Sequence, residues 1–527
     1  MKILVTESLS PEGMAILKKE KCLQVEERVG LSKEELLKII PHYDALIVRS
    51  QTKVTKDVIK RASRLKVIGR PGVGLDNVDV ETATKRGIIV MNTPEGNTIS
   101  TAELTFGLLL SLARNIPLAV NSIKMRKWER HRFVGRELYG KRLGIIGLGR
   151  IGAEVAKRAL SFGMRILAYD PYVSSERAKK IEVQLVELRE LLSQSDYITI
   201  HVPLTHDTHH LIGEREFKLM KKGASLINCA RGGIVDEKAL DKAFRDGRLN
   251  SCALDVFEEE PPLQSPLLDH ERLIPTPHIG ASTIEAQTNV ATQIAQQVVD
   301  ALMGRGVRNA ANLPQVSPEV LQLLQPYIAL AEKLGRLLSQ VMRGPVQEVR
   351  LSYFGEMNSH DSMPITTGFL KGLLEPIMKE TVNYINAPVL ARERGIKIIE
   401  VKSEEPEDFA NLIVAEVKTI KVKTSASGTL LGRNKPRIVR IDGYHVDLVP
   451  EGFILVCENH DRPGAIAHIS KVLGERKVNI ANMTVGRKKL GGKALTVLNI
   501  DESISPSVVA EIKKSKIIIR VQVVCMD

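Results

Sequence analysis

The sequence is poor in three things, and each absence removes a class of function. Aromatic residues make up 4% of its 527 positions, with a single tryptophan, Trp128. A surface that stacks successive bases on aromatic rings is therefore excluded. Five cysteines (Cys22, Cys229, Cys252, Cys457 and Cys525) lie far apart with no CxxC pair. They support neither a zinc cage nor a disulfide framework, and no metal is expected. The longest apolar run, 104–113, is broken by Thr105, Gly107 and Ser111. At about ten residues it is too short to cross a bilayer. The opening MKILVTES reads as a strand, without the charged-then-apolar pattern of a leader. A reduced, cytoplasmic, multi-domain protein is expected.

Apolar residues at 43% and charged residues at 26% suit a soluble globular chain. The length suits three or four domains of about 150 residues each. Positive charge is in excess, at +13. Its main concentration is 124–142, where Lys124, Arg126, Lys127, Arg130, Arg132, Arg136, Lys141 and Arg142 face only Glu129 and Glu137. Such a run is either a solvated helix end and loop or an attractor of small phosphorylated anions. No helix-turn-helix, zinc-finger or RNA-binding signature accompanies it, so no nucleic-acid partner is expected.

Hydrophobic patterning divides the chain. Short apolar strands at 2–6, 45–48 and 66–68 alternate with helical patterns at 12–19 and 33–40, and a helix follows at 99–114. The alternation restarts with buried-strand patterns at 143–146, 166–169, 197–202, 225–228 and 251–254. Alternation of this kind predicts parallel sheets covered by helices on both faces. An amphipathic helix over 284–303, with Val290, Ile294, Val298 and Leu302 four apart, leads into Gly304, Gly306, Pro314 and Pro318. A unit opening with a helix at 320–341 follows. It includes mixed helix and loop at 365–388 and a Gly-rich, basic tract at 425–443. From 453 the order strand–helix–strand–strand–helix–strand is that of a ferredoxin-like domain.

One motif carries chemistry in full context. Gly147-Leu148-Gly149-Arg150-Ile151-Gly152 follows a strand, opens a helix at 153–160, and is succeeded by a second strand ending in Asp170. Gly147 permits the tight turn, Gly149 admits a pyrophosphate, and Gly152 lets the helix pack close with its amides toward the phosphates. Asp170 can accept from both ribose hydroxyls and would repel a 2′-phosphate, which favours NAD. Downstream, Arg231 (in Asn228-Cys229-Ala230-Arg231), Glu260 and His278 (in Thr276-Pro277-His278) lie at strand ends that could converge on one cleft. A guanidinium grips a carboxylate, an imidazole takes a hydroxyl proton, and a carboxylate fixes the imidazole. Singly, each is also an ordinary surface or structural residue. His206, His209 and His210 suggest a metal or a polar loop.

GKRLGIIGLGRIG, NCARGGIVDE, LDVFEEEPP and TPHIGAST together resemble the D-isomer-specific 2-hydroxyacid dehydrogenases, in the long form with an intervening domain and a C-terminal ACT domain. The resemblance covers nearly the whole chain. It implies two Rossmann-like α/β lobes with parallel sheets, an α+β intervening domain and a ferredoxin-like ACT domain. The implied divisions are 1–95 with 283–308 (substrate lobe), 96–282 (NAD lobe), 309–318 (linker), 319–449 (intervening) and 450–527 (ACT). The activity implied is NAD-dependent oxidation of D-3-phosphoglycerate to 3-phosphooxypyruvate, with feedback by L-serine, in a homotetramer. An unphosphorylated D-2-hydroxy acid and a non-catalytic NAD sensor are the alternatives.

Carried over by position, Arg231 becomes the carboxylate-binding residue, His278 the acid/base and Glu260 its partner. The NAD contacts would be Gly147, Gly149, Arg150, Ile151, Gly152, Asp170, Cys229, Ala230, Asp255, His278, Ile279, Gly280 and Ala281. Arg49, Ser50, Arg70 and Asn97 would face substrate. Gln51 stands where some relatives carry arginine, so further phosphate charge is expected from Arg130 or Arg132, beside Trp128 on a neighbouring subunit. Asn459, Asp461 and Asn479 would hold the serine effector, the alternative being a domain that only dimerises. Arg433, Lys435 and Arg437 are candidates for a phosphate-bearing effector or a solvated loop.

Overall fold

The computed structural model describes residues 1–314, 316–379, 381–403, 408–432 and 434–526; Arg433 lies outside them. Among the described residues the chain forms four sheets. In the first, five parallel strands stand in the order Gln24–Glu27, Lys2–Val5, Ala45–Ile47, Val67–Arg70 and Ile89–Asn92. The apolar residues of Lys2–Val5, Ala45–Ile47 and Val67–Arg70 at its centre are buried on both faces, while the edge strand Gln24–Glu27 is partly exposed. The helix Ile284–Leu302 returns from far along the chain to close this lobe, packing Ile294 and Val298 against Ile3, Val5 and Val67. It comes close because position 69 is glycine: a Cβ there would stand 2.8 Å from Val298 Cγ2.

The second sheet has seven parallel strands, ordered Leu273–Pro275, Leu249–Leu254, Ala224–Asn228, Tyr197–Ile200, Arg142–Ile146, Arg165–Tyr169 and Gln184–Leu185. Sequence patterning shows five of them. The other two are edge strands of two and three residues, too short to show a period. The strand order reverses between Arg142–Ile146 and Tyr197–Ile200, and ligands bind outside the carboxyl ends at such a point. The helix Thr98–Arg114 buries its apolar face on this sheet and meets Ile116–Lys124 at a 66° bend, with Asn115 left-handed between them. Among the described residues no single helix is long and apolar enough to cross a membrane, although this bent pair reaches that length and composition.

Residues from Pro318 onward are built differently. The mixed sheet runs Lys397–Ser403, Val346–Phe354, Leu412–Thr419, Lys423–Leu431, Lys435–Ile441, Tyr444–Leu448, parallel only in its first pair. The tract 425–443, read from sequence as Gly-rich and basic, is mostly two of its antiparallel strands. Gly428 sits in one of them because a Cβ would lie 2.8 Å from Leu330 Cδ1 of the covering helix Pro318–Val341. The last sheet, Ile480–Arg487, Lys493–Ile500, Phe453–His460, Ile518–Cys525, has the ferredoxin-like order and is fully antiparallel. One of its faces packs on its own two helices through Leu455, Cys457 and Leu498. The other, with Ile454, Val456, Val497 and Val524, belongs to the same core as Leu334, Phe369 and Ile438 of the preceding unit.

Contact with the first lobe is narrow. Asn383 donates its amide to the Gly87 carbonyl at 2.8 Å, and Lys85 pairs with Glu393 at 2.9 Å. Gly87 is left-handed, and a Cβ there would stand 2.3 Å from the Asn383 amide nitrogen.

Candidate active site

The glycine loop is built as its spacing requires. Gly147 has φ 93°, and a Cβ on it would stand 2.6 Å from the His201 carbonyl oxygen. At Gly152 a Cβ would come within 2.1 Å of the Gly147 oxygen, so only glycine lets the helix Arg150–Ser161 start so close. At Gly149, by contrast, nothing lies within 4 Å of that position. Two glycines are therefore required by the fold and one leaves a cradle open. Asp170 sits beside it, accepting from the Leu148 amide at 2.8 Å and the Tyr172 amide at 2.9 Å. A carboxylate has further lone pairs for two ribose hydroxyls. Open cradle, helix start and strand-end carboxylate together fit a dinucleotide. Arg150 leans across the cleft to Glu95 at 3.2 Å, and Ile151 packs at the rim of the lobe's core.

Asp255, expected at the cofactor, is buried and bonded to the turn that carries the imidazole. Its Oδ1 accepts from Ile279 N (2.8 Å) and Thr276 Oγ1 (2.6 Å), and its Oδ2 from Gly280 N (2.8 Å). Thr101 closes the same turn by donating to the Gly280 carbonyl at 3.1 Å. The result holds His278 at φ 54°, a left-handed backbone that few side chains adopt without such support. Ala281, the last residue of the expected cofactor segment, is half-buried.

His278 Nδ1 lies 2.8 Å from Glu260 Oε2, and Glu260 Oε1 accepts from Phe257 N at 3.2 Å. The bond to Glu260 raises the imidazole's pKa from its usual value against the opposing effect of burial. Burial works to raise the Glu260 carboxyl, but the bond and charge of His278 outweigh it and hold it below the usual range. With Nδ1 committed to Glu260, Nε2 is the nitrogen left for a substrate proton.

Arg231 stands within electrostatic reach of both, its charge opposing the His278 proton and favouring ionised Glu260. Its turn is rigid: Asn228 binds the Ala230 amide and the Arg231 carbonyl through its side chain. A Cβ at Gly232 would fall 1.7 Å from the Phe257 oxygen, so the glycine after the arginine is obligatory. Cys229 is buried behind the turn, its thiol pushed up to about 12 by desolvation.

On the facing lobe Glu7, itself buried, collects the amides of Arg49, Gln51 and Thr52, which fixes the loop that presents Arg49 and Ser50. Arg49 lines a cavity of about 350 Å³ with Ser8, Ser10, Pro71 and Gln287. Arg70 is enclosed, and burial followed by the Arg231 charge lowers its pKa. Its Nη1 binds the Gly74 carbonyl, so it builds the 71–74 turn. Asn97 caps the first turn of Thr98–Arg114 by position, and its Oδ1 is buried with no partner. Arg132 is taken up by Glu129 and Glu271, while Trp128 beside it is 82% exposed.

The effector candidates are not gathered in one place. Asn459, expected at the effector, lies within the strand Phe453–His460. It is 3% exposed and accepts from Thr496 Oγ1 at 2.8 Å, because its side chain alternates onto the same face as Leu455 and Cys457. Asp461 accepts from the Gly491 amide at 3.0 Å and pairs with Arg487, and Asn479 donates to Asp501 at 2.8 Å. Arg437 faces Asp447 at 3.4 Å, and Lys435 is exposed. Of the histidines in 206–210, His210 meets Glu258 at 3.0 Å, and no metal-holding group of His, Cys, Asp and Glu occurs among the described residues.

Residues that sequence reading missed include Glu7, Asp76, Asn77, Thr101 and His201. His201 ends the strand beside Gly147, its imidazole enclosed and its pKa pushed down to about 3 by burial. A polar residue at the end of an apolar strand was the available signal.

Comparison with known proteins matches three stretches of the chain to family models. Residues 106–280 match the D-isomer specific 2-hydroxyacid dehydrogenase NAD binding domain, 323–442 the D-3-phosphoglycerate dehydrogenase intervening domain, and 453–516 the ACT domain. The chain is 48% identical over 515 residues to D-3-phosphoglycerate dehydrogenase of Methanocaldococcus jannaschii, covering 98% of each chain. It is 42% identical over 524 residues to the Bacillus subtilis protein of that name, covering 99% of each. Among solved structures, D-lactate dehydrogenase from Aquifex aeolicus complexed with NAD and lactic acid is 31% identical with a TM-score of 0.53, covering 57% of this chain and 96% of its own.

Proposed function

The chain belongs to the D-3-phosphoglycerate dehydrogenase family, within the D-isomer-specific 2-hydroxyacid dehydrogenases, and on that basis we propose that it oxidises D-3-phosphoglycerate to 3-phosphooxypyruvate with NAD, the entry to L-serine. The observation that carries the reading is the His278–Glu260 pair with Arg231 beside it, at the carboxyl ends of the strands that carry the glycine loop.

Arg231 binds the substrate carboxylate and polarises the carbon-bound oxygen. His278 Nε2 takes the hydroxyl proton as the C–O bond gains double-bond character, and Glu260 stabilises the imidazolium that results. NAD, when bound, supplies the acceptor for the hydride leaving C2. Gly147, Gly149, Arg150, Ile151, Gly152 and Asp170 would hold it, with Cys229, Ala230 and residues 278–281 lining its far end. Asp255 acts at one remove, through the turn. Arg49, Ser50 and Asn97 would take the phosphate end, and Arg70 shapes the turn opposite.

The lobes divide at 1–95 with 283–308 and at 96–282, followed by a linker at 309–318 and units at 319–449 and 450–527. The assembly is a cytoplasmic homotetramer. Trp128, Val134 and Tyr139, each at least 78% exposed, favour a subunit face on the nucleotide lobe. The ACT match supports an amino-acid effector, L-serine, held at Asp461, with Asn479 contributed by a facing subunit.

Initial NADH formation from NAD and D-3-phosphoglycerate, with and without L-serine, tests the whole reading. Turnover suppressed by serine supports both halves. Turnover indifferent to serine keeps the enzyme and removes serine as effector. No turnover, with NAD bound, replaces the substrate or the activity.

A further inference from the structure

We propose that Asp76 is a positioning residue for Arg231, reaching across the cleft from the facing lobe to fix which edge of the guanidinium meets the substrate carboxylate; the inference rests on the oxidation proposed above. Asp76 Oδ2 lies 3.4 Å from Arg231 Nε, and Arg231 Nη1 donates to the Ala230 carbonyl at 2.6 Å. With the Nε side turned toward the Asp76 charge and Nη1 donating to Ala230, the edge bearing Nη2 is left for a ligand. Gly74 is what allows the meeting. A Cβ on it would lie 2.4 Å from Arg231 Nη2 and 2.5 Å from Asp76 Oδ2.

An ion pair whose acid is 66% exposed adds little stability. Its effect is orientation: a long arginine side chain is held in one of its many rotamers, at a site where small misplacements are costly. The next residue does the same for the other end of the cleft. Asn77 donates to the carbonyls of Arg49 (2.6 Å) and Thr52 (2.7 Å), holding the loop that presents Arg49. One short segment thus sets the cations for both ends of a phosphorylated hydroxy acid.

The test compares Asp76→Ala and Asp76→Asn, each alone and combined with Arg231→Lys, using whichever 2-hydroxy acid the wild type oxidises. Asp76→Ala is expected to lower kcat/KM about a hundredfold, with NADH binding and Tm unchanged. Asp76→Asn, which keeps the shape and an oxygen dipole beside Nε but not the charge, should recover part of the loss. On the Arg231→Lys background, which has no Nε, Asp76→Ala should change kcat/KM by less than about threefold. Full activity in Asp76→Ala overturns the proposal, as does an undiminished loss on the lysine background or a loss matched by falling Tm. Wild-type turnover of D-3-phosphoglycerate is read separately: its absence with another hydroxy acid active overturns the substrate and leaves the Asp76 comparison decisive. A wild type that oxidises no hydroxy acid overturns both.

Discussion

The first 300 residues and the last 200 solve opposite problems with similar materials. In the front half each lobe keeps its own core, one around Ile3, Ile68 and Ile294, the other around Ile145, Leu226 and Leu254. Among the described residues no apolar cluster bridges them, and the catalytic groups sit in the gap. In the rear half the mixed sheet and the ACT sheet share a single core running from Leu334 to Val524. Polar ties reinforce it: Gln340 donates to the Cys525 carbonyl at 2.8 Å and Lys333 to that of Met526 at 2.6 Å. Separate cores permit a cleft to open and close, whereas a shared core makes two family domains move as one. Among the described residues the rear half meets the first lobe through polar contacts that include Asn383–Gly87 and Lys85–Glu393.

The largest test of this contrast is at the gap. His278→Ala should lower turnover about a thousandfold or more, while NAD titration still shows binding; a folded, fully active variant removes the assignment. Two glycines a few residues apart sharpen it. Gly152→Ala forces a Cβ onto the Gly147 oxygen and should lower Tm by several degrees, because backbone must move. Gly149→Ala meets nothing in the protein and should leave Tm alone while weakening NAD.

In the shared core, Ile454→Ala should cost about 2–4 kcal/mol. Calorimetry should show the intervening and ACT units losing stability in one transition, with the NAD-stabilised lobe unmoved. Two separate shifts would show that the core is not shared in solution.

Smaller effects concern charge and contact. His278 is raised by Glu260, so Glu260→Gln should lower its pKa. The neutral imidazole is the active form in oxidation, and the acid limb of kcat/KM should then move to lower pH, read from a pH–rate profile. Asn383→Ala should cost about 1 kcal/mol or less in stability and leave kcat nearly unchanged, yet weaken whatever response serine produces in the wild type.

Much of the front half was legible because its signals are local. A strand, GxGxxG and Asp170 fall within one βαβ unit, and at Gly152 the need for glycine arises inside it, from the Gly147 oxygen. The rear half was legible mainly in order of elements. Its antiparallel strands carry Lys, Ser, Thr and Gly on partly covered faces, so 425–443 showed only as a Gly-rich, basic tract. Asn459 stood among the effector candidates because no local pattern marks the end of its strand; its burial was decided by pairing with Ala494 and Ile518.

Local sequence carried the longer strands and helices of the front half, the nucleotide loop and the residue types at the catalytic positions, since backbone sterics and hydrophobic period act over a few neighbours. Tertiary structure alone decided that Asp255 holds the turn behind His278, that Asp76 and Arg231 meet across two lobes, and that two rear units share one core. Those outcomes depend on surfaces brought together from tens to hundreds of residues apart, and no local pattern encodes which surfaces will meet.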